Sequence, residues 1–147
     1  MHKHILIATD GSELATLAVR QGLDLARQLG AKVTIITATE LWSIIEMVRH
    51  AHDARNQIEE YEELAREHAR KVLTAAAAIA AEHGVACETV HMKDLKPSEA
   101  IIETADKSGC DLIVMASHSR CGVNKLLLGS ETARVLALTK LPVLVYR

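Results

Sequence analysis

Phenylalanine is absent from this chain and aromatic residues make up only 2% of it, so the core has to be built from Leu, Ile, Val and Ala. Cysteine occurs three times, as Cys87, Cys110 and Cys121, which cannot all pair within one chain. With no C-x-x-C spacing among them, a reduced, cytoplasmic compartment is expected. Charge of either sign is nearly balanced, at a formal net charge of -2. That gives no reason to expect nucleic acid or an anionic membrane as partner. Long apolar runs are missing too: ILIAT and LIVMA are strand-sized, well short of a membrane span. The start, MHKHILIATDGS, shows no h-region of a signal peptide.

What is present is ordinary for a globular protein: 147 residues, 49% hydrophobic and 24% charged, enough for one domain over 1–147 with its own core. Five short β-rich runs recur: HILIA (4–8), KVTIITA (32–38), CETVHM (87–92), DLIVMA (111–116) and LPVLVYR (141–147). Consecutive apolar positions such as LIVM suit strands covered on both faces. Helical stretches alternate with them, which implies right-handed crossovers and a parallel sheet.

The first helix follows Asp10-Gly11-Ser12, with Ser12 as N-cap and Gly30 closing it. Ala15, Ala18, Val19, Gly22, Leu25, Ala26 and Leu29 form its expected inner stripe. A second, long helix is expected over about 56–83, with Ile58, Tyr61, Ala65, Ala69, Val72, Ala76 and Ile79 inward. Its acidic run, Glu59, Glu60, Glu62 and Glu63, reads as a solvated face. A third helix runs from near Pro97 to near Gly109, and a fourth from Gly129-Ser130 to before Pro142. Residues 40–55 show no period and read as a loop or short helix. If strands one to three wind one way and four and five the other, the strand order is 3-2-1-4-5. A ligand crevice then opens where strands one and four diverge.

Several chemistries are excluded by what does not occur. No Gly-Lys pair exists for a Walker loop, and neither G-x-G-x-x-G nor G-x-S-x-G is found. The positions six after each cysteine are Lys93, Ala116 and Leu127, so a cysteine-phosphatase loop fails. Eight histidines include His2 and His4, expected on one face of the first strand, but none has ligand-type neighbours at metal spacing. No metal site is expected.

ILIATDGSE at the start, DLIVMASHSR after the fourth strand, LLLGSETARVL at the last helix and a terminal PVLVYR, in this order, resemble the universal stress protein family. The resemblance covers the whole chain, with 40–55 the least alignable part. It implies an open twisted parallel α/β sheet of the adenine-nucleotide alpha-hydrolase-like type. It also implies a cytoplasmic homodimer paired through residues 141–147, and binding of ATP or AMP with Mg2+ or Mn2+ as candidate counter-ion.

Nucleotide-binding members carry G-x2-G-x9-G-[ST], whose marked positions fall here at Ala116, Ser119, Gly129 and Ser130. Both early glycines are replaced. Left-handed backbone at Ser119 would cost about 1–2 kcal/mol, and each 1.4 kcal/mol is about tenfold in affinity. Ser130 and the N–H groups of Glu131 and Thr132 form a helix start suited to an anion, and Arg120 adds positive charge. Glu131 itself opposes an anion unless it stays outside or a cation intervenes. The resemblance further implies Thr9 and Asp10 near the nucleoside, Ala38 and Met115 at the base, and Ser117, His118 and Gly122 in the phosphate loop. Asp10 can equally form an Asx-turn, and the two roles are compatible. The expectation is a stress-response regulator with at most incidental ATP hydrolysis; the alternative is a nucleotide-free dimeric module for protein partners.

Overall fold

The computed structural model describes residues 1–40, 53–93, 95–117 and 128–147. Five strands, β1 (His4–Ala8), β2 (Lys32–Thr39), β3 (Cys87–Lys93), β4 (Leu112–Ala116) and β5 (Val143–Tyr146), form one sheet. Among the described residues four helices connect them: α1 (Glu13–Leu29), α2 (Ala54–Glu82), α3 (Pro97–Ser108) and α4 (Ser130–Leu138). The order is β3-β2-β1-β4-β5 and every pairing is parallel, as expected. The last strand is shorter than its apolar run because Pro142 has no N–H for the ladder; its carbonyl accepts from Ile113 N.

The central strand shows how an aliphatic core fills two layers. Ile5 and Ile7 point to the side of α1 and α2, where Val19, Leu23, Ala26, Ala76 and Ala80 enclose them. Leu6 points the other way, into a second cluster with Ile36, Ile101, Ile113, Met115 and Val135. All three strand residues are fully buried. This is the period-two alternation of a strand covered on both faces.

Two helix stripes differ from expectation. On α1, Leu23 is fully buried while Leu25 and Leu29 are only partly so, because the stripe is centred on Gly22. A Cβ on Gly22 would lie 2.8 Å from Ile7 Cδ1 and 3.2 Å from Val114 Cγ1. The bare backbone is what lets α1 lie against the sheet. On α2 the buried positions are Ala69, Val72, Ala76 and Ala80, whereas Tyr61 is exposed. Val72 already lies against Gly11, the turn leaving β1. The helix before Ala69 therefore extends past the C-terminal edge of the sheet. Of residues 40–55, Glu40 follows β2 and the chain from Asp53 leads into α2; positions 41–52 lie outside the described residues.

The opposite edge of the sheet gathers His2, His4 and Cys110. The strand begins at His4, so the two histidines do not share its face. His4 Nε2 lies 2.8 Å from Thr34 Oγ1, while His2 Nδ1 lies 3.3 Å from Asp111 Oδ1. Burial, reinforced by the neighbouring Asp111 carboxylate, pushes the Cys110 thiol from 9.0 up to about 11. A folded-state value above the unfolded one means that the native thiol keeps its proton longer. Its contribution is therefore intact below about pH 9 and is lost as the pH rises toward 11. We expect stability to fall by about 2–3 kcal/mol across that window from this group. Denaturant titrations of the Cys110→Ala variant should lack that part of the slope.

Candidate functional site

A cavity of about 170 Å³ opens at the C-terminal edge of the sheet, between β1 and β4, where the strand order reverses. Parallel sheets place ligands at this point because the connections leaving the two strands pass to opposite faces, here α1 to one and α4 to the other. Its apolar lining comes from Ile36 and Ala38 of β2, Met115 of β4, and Pro97 and Ile101 of α3. Polar groups arrive from two directions: Thr9 and Asp10 after β1, and Gly129 to Thr132 at the start of α4.

The turn after β1 is closed by its own side chains. Gly11 N donates to Thr9 Oγ1 at 3.1 Å and Ser12 N to Asp10 Oδ1 at 2.9 Å. Thr9 N still donates to Ile36 O, one step beyond the strand. The Asx-turn and a place on the crevice wall thus coexist at Asp10. Ser12 then caps α1, its Oγ accepting from Ala15 N. Gly11 has φ +82°, and a Cβ there would lie 2.9 Å from Val72 Cγ2.

On the far wall, α4 is stapled to the end of β4. Ser117 O accepts from Gly129 N at 2.7 Å, and Thr132 Oγ1 lies within bonding distance of both Ala116 O and Ser117 O. Ser117 N donates in turn to Tyr146 O. Ser117 is buried and off the crevice wall, so its part is to hold the helix start rather than to line the cavity. The N-cap, Gly129, has no side chain to close the helix. The N–H groups of Ser130, Glu131 and Thr132 take no partner among the described residues. They leave a positive helix end facing the cavity, with the Glu131 carboxylate as the acidic group of the same first turn.

Glu131 behaves differently from its neighbours. Its Oε2 accepts from Ser98 N at 2.7 Å, in the first turn of α3. There the N-cap residue, Lys96, supplies no side-chain cap. Arg134 Nη1 stands 4.0 Å from the other oxygen. The carboxylate therefore bridges the starts of two helices. No sequence signal marks this bond, since its partners are 33 residues apart and meet only through the sheet. Pro97 and Ile101, also unforeseen on the wall, belong to the helix whose start was legible in the proline.

Thr9, Asp10, Ala38, Met115, Ala116, Gly129, Ser130, Glu131 and Thr132 thus meet at one cavity. His118, Ser119, Arg120 and Gly122 lie outside the described residues. Among the described residues no group of three or more His, Cys, Asp or Glu is placed to hold a metal ion. No described helix is long and apolar enough to cross a membrane.

The sequence pattern of the universal stress protein family matches residues 1–147. Universal stress protein MJ0531 of Methanocaldococcus jannaschii is 30% identical over 147 residues, covering 100% of this chain and 83% of that protein. The structure of protein MJ0577 superposes with a TM-score of 0.82 at 26% identity, over 99% of this chain and 96% of the other. A universal stress protein in complex with cAMP superposes at TM-score 0.70 and 24% identity, over 99% and 97% of the two chains. One from Archaeoglobus fulgidus in complex with dAMP does so at 0.72 and 19%, over 99% and 98%. With its whole length matched and its sheet in the same order, the chain belongs to the universal stress protein family.

Proposed function

We propose that the crevice binds an adenine nucleotide, ATP or AMP, and that the protein is a cytoplasmic stress-response regulator rather than an enzyme. The observation that carries this reading is the amide trio of Ser130, Glu131 and Thr132, unpartnered among the described residues and opening onto an apolar cavity at the switch point of the sheet. Amides seat a phosphate while Ala38 and Met115 offer an apolar slot to a purine. The two related structures hold cAMP and dAMP. Asp10 lines the same cavity, and in this reading it meets a ribose hydroxyl. Arg120 and Ser119 would add to the phosphate seat, with Mg2+ or Mn2+ entering alongside the phosphates.

Hydrolysis would be slow and incidental. Asp10 Oδ1 and Glu131 Oε2 each accept a backbone N–H, so both carboxylates are engaged in holding a turn or a helix start.

The amide seat has a direct test in Ser130→Pro. Ser130 is the first helical residue and follows a Gly129 at φ -61°, ψ 154°, a backbone that tolerates a following proline. The variant keeps the helix and deletes one donor, so nucleotide affinity should fall by about 10- to 100-fold at unchanged Tm. Ser130→Ala, which keeps the amide, separates the hydroxyl's share. Mass spectrometry of nucleotide released from freshly purified protein identifies the ligand. A folded protein that releases none and gives no calorimetric heat with ATP or AMP would instead be the nucleotide-free interaction module.

The same reading includes a homodimer through residues 141–147. β5 is a sheet edge carrying a partly exposed Leu144, and the adjoining α4 exposes Leu136 and Leu138. Bare apolar edges invite pairing. Light scattering at micromolar concentration should give twice the chain mass; a monomer there overturns the dimer.

A further inference from the structure

Three helices begin at the crevice; α1 is closed by its own cap, Ser12, which leaves the starts of α3 and α4 as potential anion seats. Only one is open. At α4 the first amides have no partner among the described residues, whereas the first turn of α3 is already held by the carboxylate of Glu131. That carboxylate cannot swing away without loss. Ser98 is 1% exposed and its N–H has no other acceptor among the described residues, so releasing Glu131 would leave a buried donor unpaired. A fixed negative charge therefore sits on the crevice wall between the two seats.

From this we infer that Glu131 is a specificity-determining residue that restricts the crevice to adenylates carrying a single phosphoryl group, by occupying the second anion seat. The inference rests on the nucleotide-binding reading above and names its ligand class. The first phosphate of any adenylate can reach the α4 amides. Each further phosphoryl group adds negative charge beside a carboxylate that is anchored in place. Among the described residues Arg134 offsets this only weakly, being 4.0 Å away and half exposed. A like unit charge within about 10 Å across a partly wet site is worth roughly tenfold in affinity.

Calorimetry at low ionic strength with EDTA tests it, using AMP, ADP and ATP against the native protein and Glu131→Gln. Glutamine keeps an oxygen for Ser98 N and removes only the charge, so the cap and the fold are preserved. In the native protein affinity should fall with each added phosphoryl group, AMP exceeding ATP by about tenfold or more. In Glu131→Gln the AMP-to-ATP ratio should narrow by about tenfold, mostly through tighter ATP. An unchanged ratio overturns the role of Glu131 while leaving nucleotide binding intact. Affinity that rises from AMP to ATP in the native protein overturns it as well, whatever the variant does. If neither protein binds any of the three, the nucleotide-binding reading itself fails.

Discussion

Leu6→Ala should lower the stability by about 3–5 kcal/mol and Tm by about 10 °C, the largest loss expected from any single truncation described here. Leu6 is fully buried at the centre of the sheet, paired to Thr34 on one side and Ile113 on the other. Its side chain belongs to the smaller of the two core layers, with Ile36, Ile101 and Met115. Those three also line the crevice. A void beneath them has nothing stiff on the ligand side to close it, and with no large aromatic in this layer there is no neighbour to swing in. Against a total stability of about 5–15 kcal/mol, the loss is a large fraction. Leu64→Ala is the matching control: the same atoms are removed from a residue that is 60% exposed, and the change should stay within about 0.5 kcal/mol. A Leu6→Ala loss near that of the control in chemical denaturation would mean that this layer is not packed as described.

Gly11→Ala should cost about 2–5 kcal/mol, from two separable sources. Holding an L residue at φ +82° accounts for about 1–2 kcal/mol. The rest comes from a Cβ placed 2.9 Å from Val72 Cγ2, an overpacking penalty of about 1–3 kcal/mol. Val72 is itself buried and cannot simply rotate out of the way. Truncating it to alanine in the same chain removes the clash and leaves the backbone strain. In a double-mutant cycle the two changes should therefore be less costly together than their sum. Additive losses would mean that the turn moves as a unit and that Val72 is no obstacle. Because Gly11 lies between Asp10 and Ser12, both closed onto the same turn, the variant should weaken nucleotide binding as well.

The inner strands were legible because double-sided burial writes itself into the sequence as dense aliphatic runs like LIVM at 112–115, whereas the edge strand β3, CETVHMK, is only partly buried. Helix positions came through less cleanly. Leu23 was missed because the stripe pivots on Gly22, whose importance lies in an absent Cβ and the approach of Ile7 and Val114, not in hydrophobicity. Tyr61 was placed inward because periodicity says which face is apolar but not where the sheet beneath it ends. At the candidate site, Asp10, Ala38, Met115 and Gly129 to Thr132 were legible through the family resemblance, and Asp10 also through its turn chemistry. The bond from Glu131 to Ser98 was not, and the reason is physical. A cap supplied from another helix depends on where the sheet brings two distant turns together.

The strand order sets a timetable for the chain's own synthesis. β1 finds β2 almost at once, yet its other flank waits for β4, and the residues joined there, His4 and Asp111, are 107 positions apart. At a translation rate of about 5–20 residues per second the wait is about 5–20 s. Throughout it, a nascent polypeptide presents a naked aliphatic strand, the one that ends up most deeply enclosed. Early protection by a chaperone, or fast elongation through this stretch, would therefore govern the yield of soluble product more than the stability of the finished molecule.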